Sequence, residues 1–165
     1  MSGKVLVAGI GNIFLGDDAF GVEVVNRLAE RKLPGNVCVV DFGIRSFDLA
    51  YALMEDWDLV VLVDALPLGG TPGDVYNFEP ELPAAEEAPS SMDAHTMNPV
   101  AVLQLVRTLG GEMPRVLVVG CEPSNVEPDP DGEMGLSGPV AAAVHEAIQL
   151  IEELVSQGRT RAVAA

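Results

Sequence analysis

Basic residues are scarce in this chain: 9 Lys and Arg stand against 25 Asp and Glu, a formal net charge of −16. A surface of that sign repels phosphate backbones and anionic lipid headgroups, which argues against non-specific nucleic-acid binding and against a membrane partner. It suits a basic or cationic partner. Cysteine is nearly absent as well. Cys38 and Cys121 sit inside the apolar runs VCVVDF and LVVGC, without CxxC spacing. They do not form a disulfide framework; both read as small buried apolar residues of a protein at home in a reducing cytoplasm. Long hydrophobic runs are missing too. The opening MSGKVLVAGIGN ends in a glycine turn and lacks the pattern of a signal peptide. No run approaches the roughly 20 apolar residues a spanning helix needs.

What is present is the composition of one globular domain: 165 residues, 48% hydrophobic and 21% charged. Short β-branched runs alternate with helical periods. Strands are expected at Lys4 to Ala8, Val37 to Asp41, Leu59 to Asp64 and Arg115 to Gly120, each a near-continuous apolar run. Asp74 to Phe78 is more polar and alternating, which fits an edge strand open to antiparallel pairing. Phe20, Val24 and Leu28, with Val25 beside them, set a helix over about Asp18 to Lys32. Ser46 is placed to cap a short helix through Met54. Asn98-Pro99 supplies a cap and a first-turn proline for a helix to about Leu109. Val140, Val144, Ile148, Ile151 and Val155 lay an apolar stripe along a last helix.

This rhythm implies a single three-layer α/β domain over residues 1–157, with a mostly parallel sheet and a frayed tail at 158–165. The loops Glu79 to Asp93 and Glu122 to Gly135 are long for a compact domain, and such loops are usually functional.

The turn Gly9-Ile10-Gly11-Asn12-Ile13-Phe14 opens like a dinucleotide fingerprint, but Phe14 stands where that motif needs a small residue. Asp17 and Asp18 also fill the helix start with negative charge, where a pyrophosphate would be repelled. No nucleotide cofactor is expected. Taken singly, Asp17 reads as an N-cap, Asp18 as a helix-dipole partner, Asp64 as the solvent end of a strand and His95 as a loop histidine. His145 belongs to a helix face. Topology changes the weighing. In a 2-1-3 strand order, Asp18 follows the first strand and Asp64 ends the third, so both face the crevice where such sheets bind ligands. A helix entered from the same edge brings His95 there. Two carboxylates and an imidazole can hold a divalent transition ion and leave positions open for substrate or water.

Six motifs then occur in order: G-x-G-N-x-x-x-x-D-D-x-x-G at Gly9 to Gly21, D-x-G at Asp41 to Gly43, V-D-A at Val63 to Ala65, H-x-x-x-P at His95 to Pro99, V-V-G-C-E-P at Val118 to Pro123, and G-L-S at Gly135 to Ser137. Together, from about Lys4 to Val155, they resemble the hydrogenase maturation proteases, which trim the C-terminal extension of the [NiFe]-hydrogenase large subunit. The resemblance implies that Asp18, Asp64 and His95 are the metal-contacting and catalytic positions, that nickel arrives in the large-subunit precursor, and that the protein itself has no resident cofactor. Some relatives carry glutamate at the position of Asp18, so Asp17 stands as a second candidate for that ligand. Phe42 departs from the usual D-G-G. Metal-activated water and a carboxylate base both fit the trio as the attacking arrangement. A non-catalytic nickel-binding chaperone and a general metal-dependent peptidase or amidase of the same fold are the competing readings.

Overall fold

Four apolar runs and one more polar strand assemble into one sheet of order β2-β1-β3-β5-β4 in the computed structural model of the chain, which describes residues 3–82, 98–127 and 134–164. Strands β1 (Val5–Ile10), β2 (Val37–Gly43), β3 (Leu59–Ala65) and β5 (Val116–Cys121) run parallel, and β4 (Val75–Phe78) pairs antiparallel with β5 at the edge. The 2-1-3 order expected from the sequence is the observed one, and so is the antiparallel edge.

Side-chain alternation divides the core in two. Val5 and Val7 of β1 with Val61 and Val63 of β3 pack under helices α1 (Phe20–Leu28) and α4 (Gly138–Ala164). Leu6, Ala8, Val60 and Leu62 point the other way, to α2 (Ser46–Leu53) and α3 (Pro99–Thr108). Strands buried on both faces need apolar residues at every position, which is why these runs do not alternate. The α4 stripe is fully used: Val140, Val144, Ile148, Ile151 and Val155 are all buried. Its backbone stays helical past Gln157, through the residues composition assigns to a tail. His145 lies on the exposed face of that helix. Among the described residues, no helix is long and apolar enough to cross a membrane.

Three local expectations give way. Cys38 is exposed on the edge strand β2, whereas Cys121 is buried in β5. Ser46 does not cap α2: it is the first helical residue, and Arg45 at the cap position turns its guanidinium back to the Asp41 and Phe42 carbonyls. The helix expected from Asp18 begins instead as a 3-10 turn, Gly16–Ala19, and becomes α-helical at Phe20. By contrast Asn98 caps α3 as expected, its Oδ1 accepting the Ala101 N–H at 2.9 Å with Pro99 in the first turn.

The start of α1 lies hard against the sheet. A Cβ on Gly21 would collide with the carbonyl oxygens of Val63 and Ile10, so only glycine lets the helix approach β1 and β3 this closely. That approach brings the turn carrying Asp18 over the carboxyl end of β3.

Candidate functional site

The carboxyl ends of the parallel strands supply the site. Beyond β1 the chain turns through Asn12, whose Oδ1 accepts the Phe14 N–H at 2.9 Å and whose carbonyl accepts the Leu15 N–H at 3.1 Å. The β1 and β2 turns are tied together where the Gly11 N–H donates to the Gly43 carbonyl at 3.0 Å. The 3-10 turn then presents Asp18, whose Oδ2 takes the Asn12 N–H at 2.8 Å. Asp64 comes from β3, in register with Gly120 of β5.

Asp18 and Asp64 share one cavity of about 350 Å³. Leu15, Ile44, Leu66 and Val126 give it apolar walls, and Asn98 at the head of α3 closes another side. The two carboxylates differ in setting. Asp18 is half-buried; burial raises its carboxyl above the ordinary range, and the Asn12 N–H offsets part of that rise. Asp64 is 2% exposed. Burial first, then the neighbouring Asp18 charge, push its carboxyl well above the usual carboxylate range, against a single backbone hydrogen bond from Ala65. Its Oδ1 is buried with no hydrogen-bond partner among the described residues. An orphaned carboxylate oxygen beside a second carboxylate is costly unless a cation or a proton joins them. The pair therefore fits a divalent ion held by hard oxygen ligands, and equally a proton shared during acid–base hydrolysis.

His95, the third residue expected here, lies outside the described residues, as does most of the loop from Glu79 to Asp93. Among the described residues no group of three or more His, Cys, Asp or Glu side chains is arranged to hold a metal ion. What the structure does place is the point from which a segment holding His95 enters α3: Asn98 lines the cavity directly.

Asp17, the second ligand candidate, does not reach the cavity. Its carboxylate accepts the Ser137 N–H (2.7 Å), the Ser137 hydroxyl (2.8 Å) and the Ser124 and Asn125 N–H groups (2.8 and 3.0 Å). Nor is it an N-cap, since it sits inside the 3-10 turn. Burial alone would raise its carboxyl; the donors on Ser137, Asn125 and Ser124 outweigh burial and hold it below the ordinary value. Partners more than 100 residues away in sequence leave no local signal, which is why spacing alone pointed elsewhere.

Glu122 of the V-V-G-C-E-P motif is likewise buried, and it accepts the Leu68 and Gly69 N–H groups at 2.8 and 2.7 Å. It fixes the β3–β4 turn behind Leu66. Cys121 is no nucleophile: burial, then the Asp17 charge, push its thiol up to about 12. Phe42 packs into the core beneath the Arg45 guanidinium, 5.7 Å from the ring centre, so it does not enter the cavity. The cavity walls Ile44 and Val126 are also exposed, as are Phe14, Phe47 and Leu68, all in segments that follow parallel strands. Apolar side chains gathered at one edge mark a surface suited to another protein.

Comparison with known proteins identifies the family and the fold. A family model described as hydrogenase maturation protease matches residues 22–154. A putative hydrogenase maturation protease of Methanocaldococcus jannaschii is 38% identical over 152 residues, 89% of this chain and 93% of that protein. The coenzyme F420 hydrogenase subunit delta of Methanothermobacter thermautotrophicus is 35% identical over 154 residues, 90% of this chain and 92% of the other. Among solved structures, the hydrogenase maturating endopeptidase HybD of Escherichia coli superposes with a TM-score of 0.74 at 29% identity, over 93% of each chain.

Proposed function

Because the chain belongs to the hydrogenase maturation protease family, we propose that it removes the C-terminal extension of a nickel-loaded [NiFe]-hydrogenase large-subunit precursor in the cytoplasm. Asp18, Asp64 and His95 read the nickel carried by that precursor. The observation behind this reading is the unpartnered, buried Asp64 Oδ1 beside the Asp18 carboxylate. A closed structural metal site would hold its ion permanently. Two carboxylates facing an open cavity, their like charges in mutual repulsion, instead favour a cation that arrives with the substrate.

The precursor docks on the apolar rim of Phe14, Ile44 and Val126, and its nickel reaches the carboxylates at the cavity floor. Nickel then satisfies the orphaned oxygen and relieves the repulsion between the two aspartates, so binding energy is drawn from a strain present only in the free enzyme. Hydrolysis adds a water to the scissile carbonyl as a base takes the water's proton, and the C–N bond then breaks as an acid protonates the leaving amine. Asp18, with the smaller rise, keeps its charge more readily and is the better base; Asp64, held nearer protonation, is the better acid. The sharing of roles between ion and carboxylates follows from how completely the nickel engages the Asp18 oxygens.

The relative named as a hydrogenase subunit favours a second reading, lasting association without cleavage. Incubating the purified protein with nickel-loaded precursor separates the readings. One C-terminal clip supports the endopeptidase. A stable complex with uncut precursor supports the non-catalytic partner, and cleavage of unrelated peptides a general hydrolase.

A further inference from the structure

Among the described residues, the buried charged side chains are Asp17, Asp64 and Glu122. Asp64 belongs to the cavity and Glu122 holds the turn beyond β3. Asp17 is 1% exposed, lines no cavity described above and forms none of the ion pairs found among the described residues. A carboxylate buried without a cation is strongly unfavourable unless hydrogen bonds replace its water. Here the Ser124, Asn125 and Ser137 N–H groups and the Ser137 hydroxyl do so, all within 3.0 Å. The Asp17 N–H completes the arrangement by donating to the Asn125 carbonyl at 2.7 Å.

These bonds join two segments that meet only in space. One is the turn Gly16–Ala19, in which Asp17 immediately precedes Asp18. The other is the β5–α4 connection, in which Ser124 and Asn125 immediately precede the cavity residue Val126, and Ser137 accepts the first helical bond of α4. The segments are in direct contact: a Cβ on Gly16 would lie 2.7 Å from the Asn125 carbonyl oxygen. Because Asp17 and Asp18 are adjacent inside one tight turn, any shift of the first carboxylate re-aims the second.

The geometry points to Asp17 as a positioning residue for the cleavage proposed above, on which this inference rests. One carboxylate fixes both the aim of Asp18 and the place of the Val126 wall, and so sets the width of the cavity that receives the substrate chain. Asparagine at this position keeps the shape but turns an NH₂ toward backbone donors, which loosens the join without emptying the space. Ser137→Ala is milder, removing the hydroxyl bond and leaving the three from backbone.

Steady-state cleavage of nickel-loaded precursor by the wild type, Asp17→Asn, Ser137→Ala and the double variant tests this. A purely structural role lowers the amount of active enzyme, so kcat falls with KM unchanged. A positioning role raises KM: about tenfold in Asp17→Asn, less in Ser137→Ala, with no further rise when the second substitution is added to the first. If Asp17→Asn does not fold, the KM of Ser137→Ala decides. Unchanged KM in every folded variant, with wild-type cleavage intact, overturns the inference and leaves the proposed function standing. No cleavage by the wild type overturns the proposed function instead. Amide exchange then decides the join: faster exchange at Ser124 and Asn125 in Asp17→Asn, with β1 and β3 unchanged, supports it, and equal exchange overturns it.

Discussion

Asp64 carries a cost that the free protein does not recover. Its carboxyl is raised in the folded chain, so between the ordinary carboxylate range and the folded value the native state binds a proton that the unfolded chain has released. Stability from this group is therefore present at low pH, falls as pH rises through that interval, and stays lost above it. Asp64→Asn should melt several degrees higher than the metal-free wild type at pH 7, with the gap closing as pH falls toward about 4, while precursor processing is abolished. Thermal unfolding across pH checks the first part; an unchanged melting temperature at pH 7 would show that the buried charge is compensated by a group outside the described residues. His95→Ala should also abolish processing while leaving stability within about 0.5 kcal/mol of wild type, because the sequence places His95 outside the apolar strand and helix patterns. Full activity in that variant would remove His95 from the site. Asp18 and Asp64 were legible in the sequence because each ends or follows a parallel strand, and strand ends at a switch point converge whatever the details. Asp17 was legible only as an acidic neighbour: its donors come from the far side of the chain.

Helix starts decide the next level. Asn98 both caps α3 and lines the cavity. Asn98→Ala should cost about 1 kcal/mol of stability and also weaken processing, since the helix it anchors continues the segment that holds His95. Equal activity with the expected stability loss would confine Asn98 to capping. Gly21→Ala drives a Cβ into the Val63 and Ile10 carbonyls and should destabilise by ~3 kcal/mol or more, read as a fall in the denaturation midpoint. At this scale the sequence was informative where a signal is local. The Asn-Pro cap, the α4 stripe and the apolar strands all follow from short-range chemistry. It misled where tertiary contacts compete: Arg45 displaced Ser46 from the cap of α2 by turning back to carbonyls of β2, and packing against β3 tightened the start of α1 into a 3-10 turn.

The whole molecule is strongly acidic, yet its cavity is rimmed by exposed apolar side chains. Acidic surface around an apolar patch steers a basic or cation-bearing partner and then holds it by burial. The KM for precursor should accordingly rise severalfold between ~0.05 and ~0.3 M salt, measured with kcat in the same series; a flat profile would leave the net charge a matter of solubility. Three-layer architecture was readable because strands buried on both faces cannot alternate, and the order β2-β1-β3 is the common doubly wound arrangement. Exposure of Cys38 was not readable, since an apolar run looks the same in an edge strand and a central one. The central proposal is that this fold cleaves a precursor whose nickel it detects. Intact mass measurement of the large-subunit precursor, nickel-loaded and nickel-free, after incubation with the wild-type protein tests that most directly. A single C-terminally shortened product from the loaded form alone is the expected result; equal cleavage of both forms, or of neither, would contradict it.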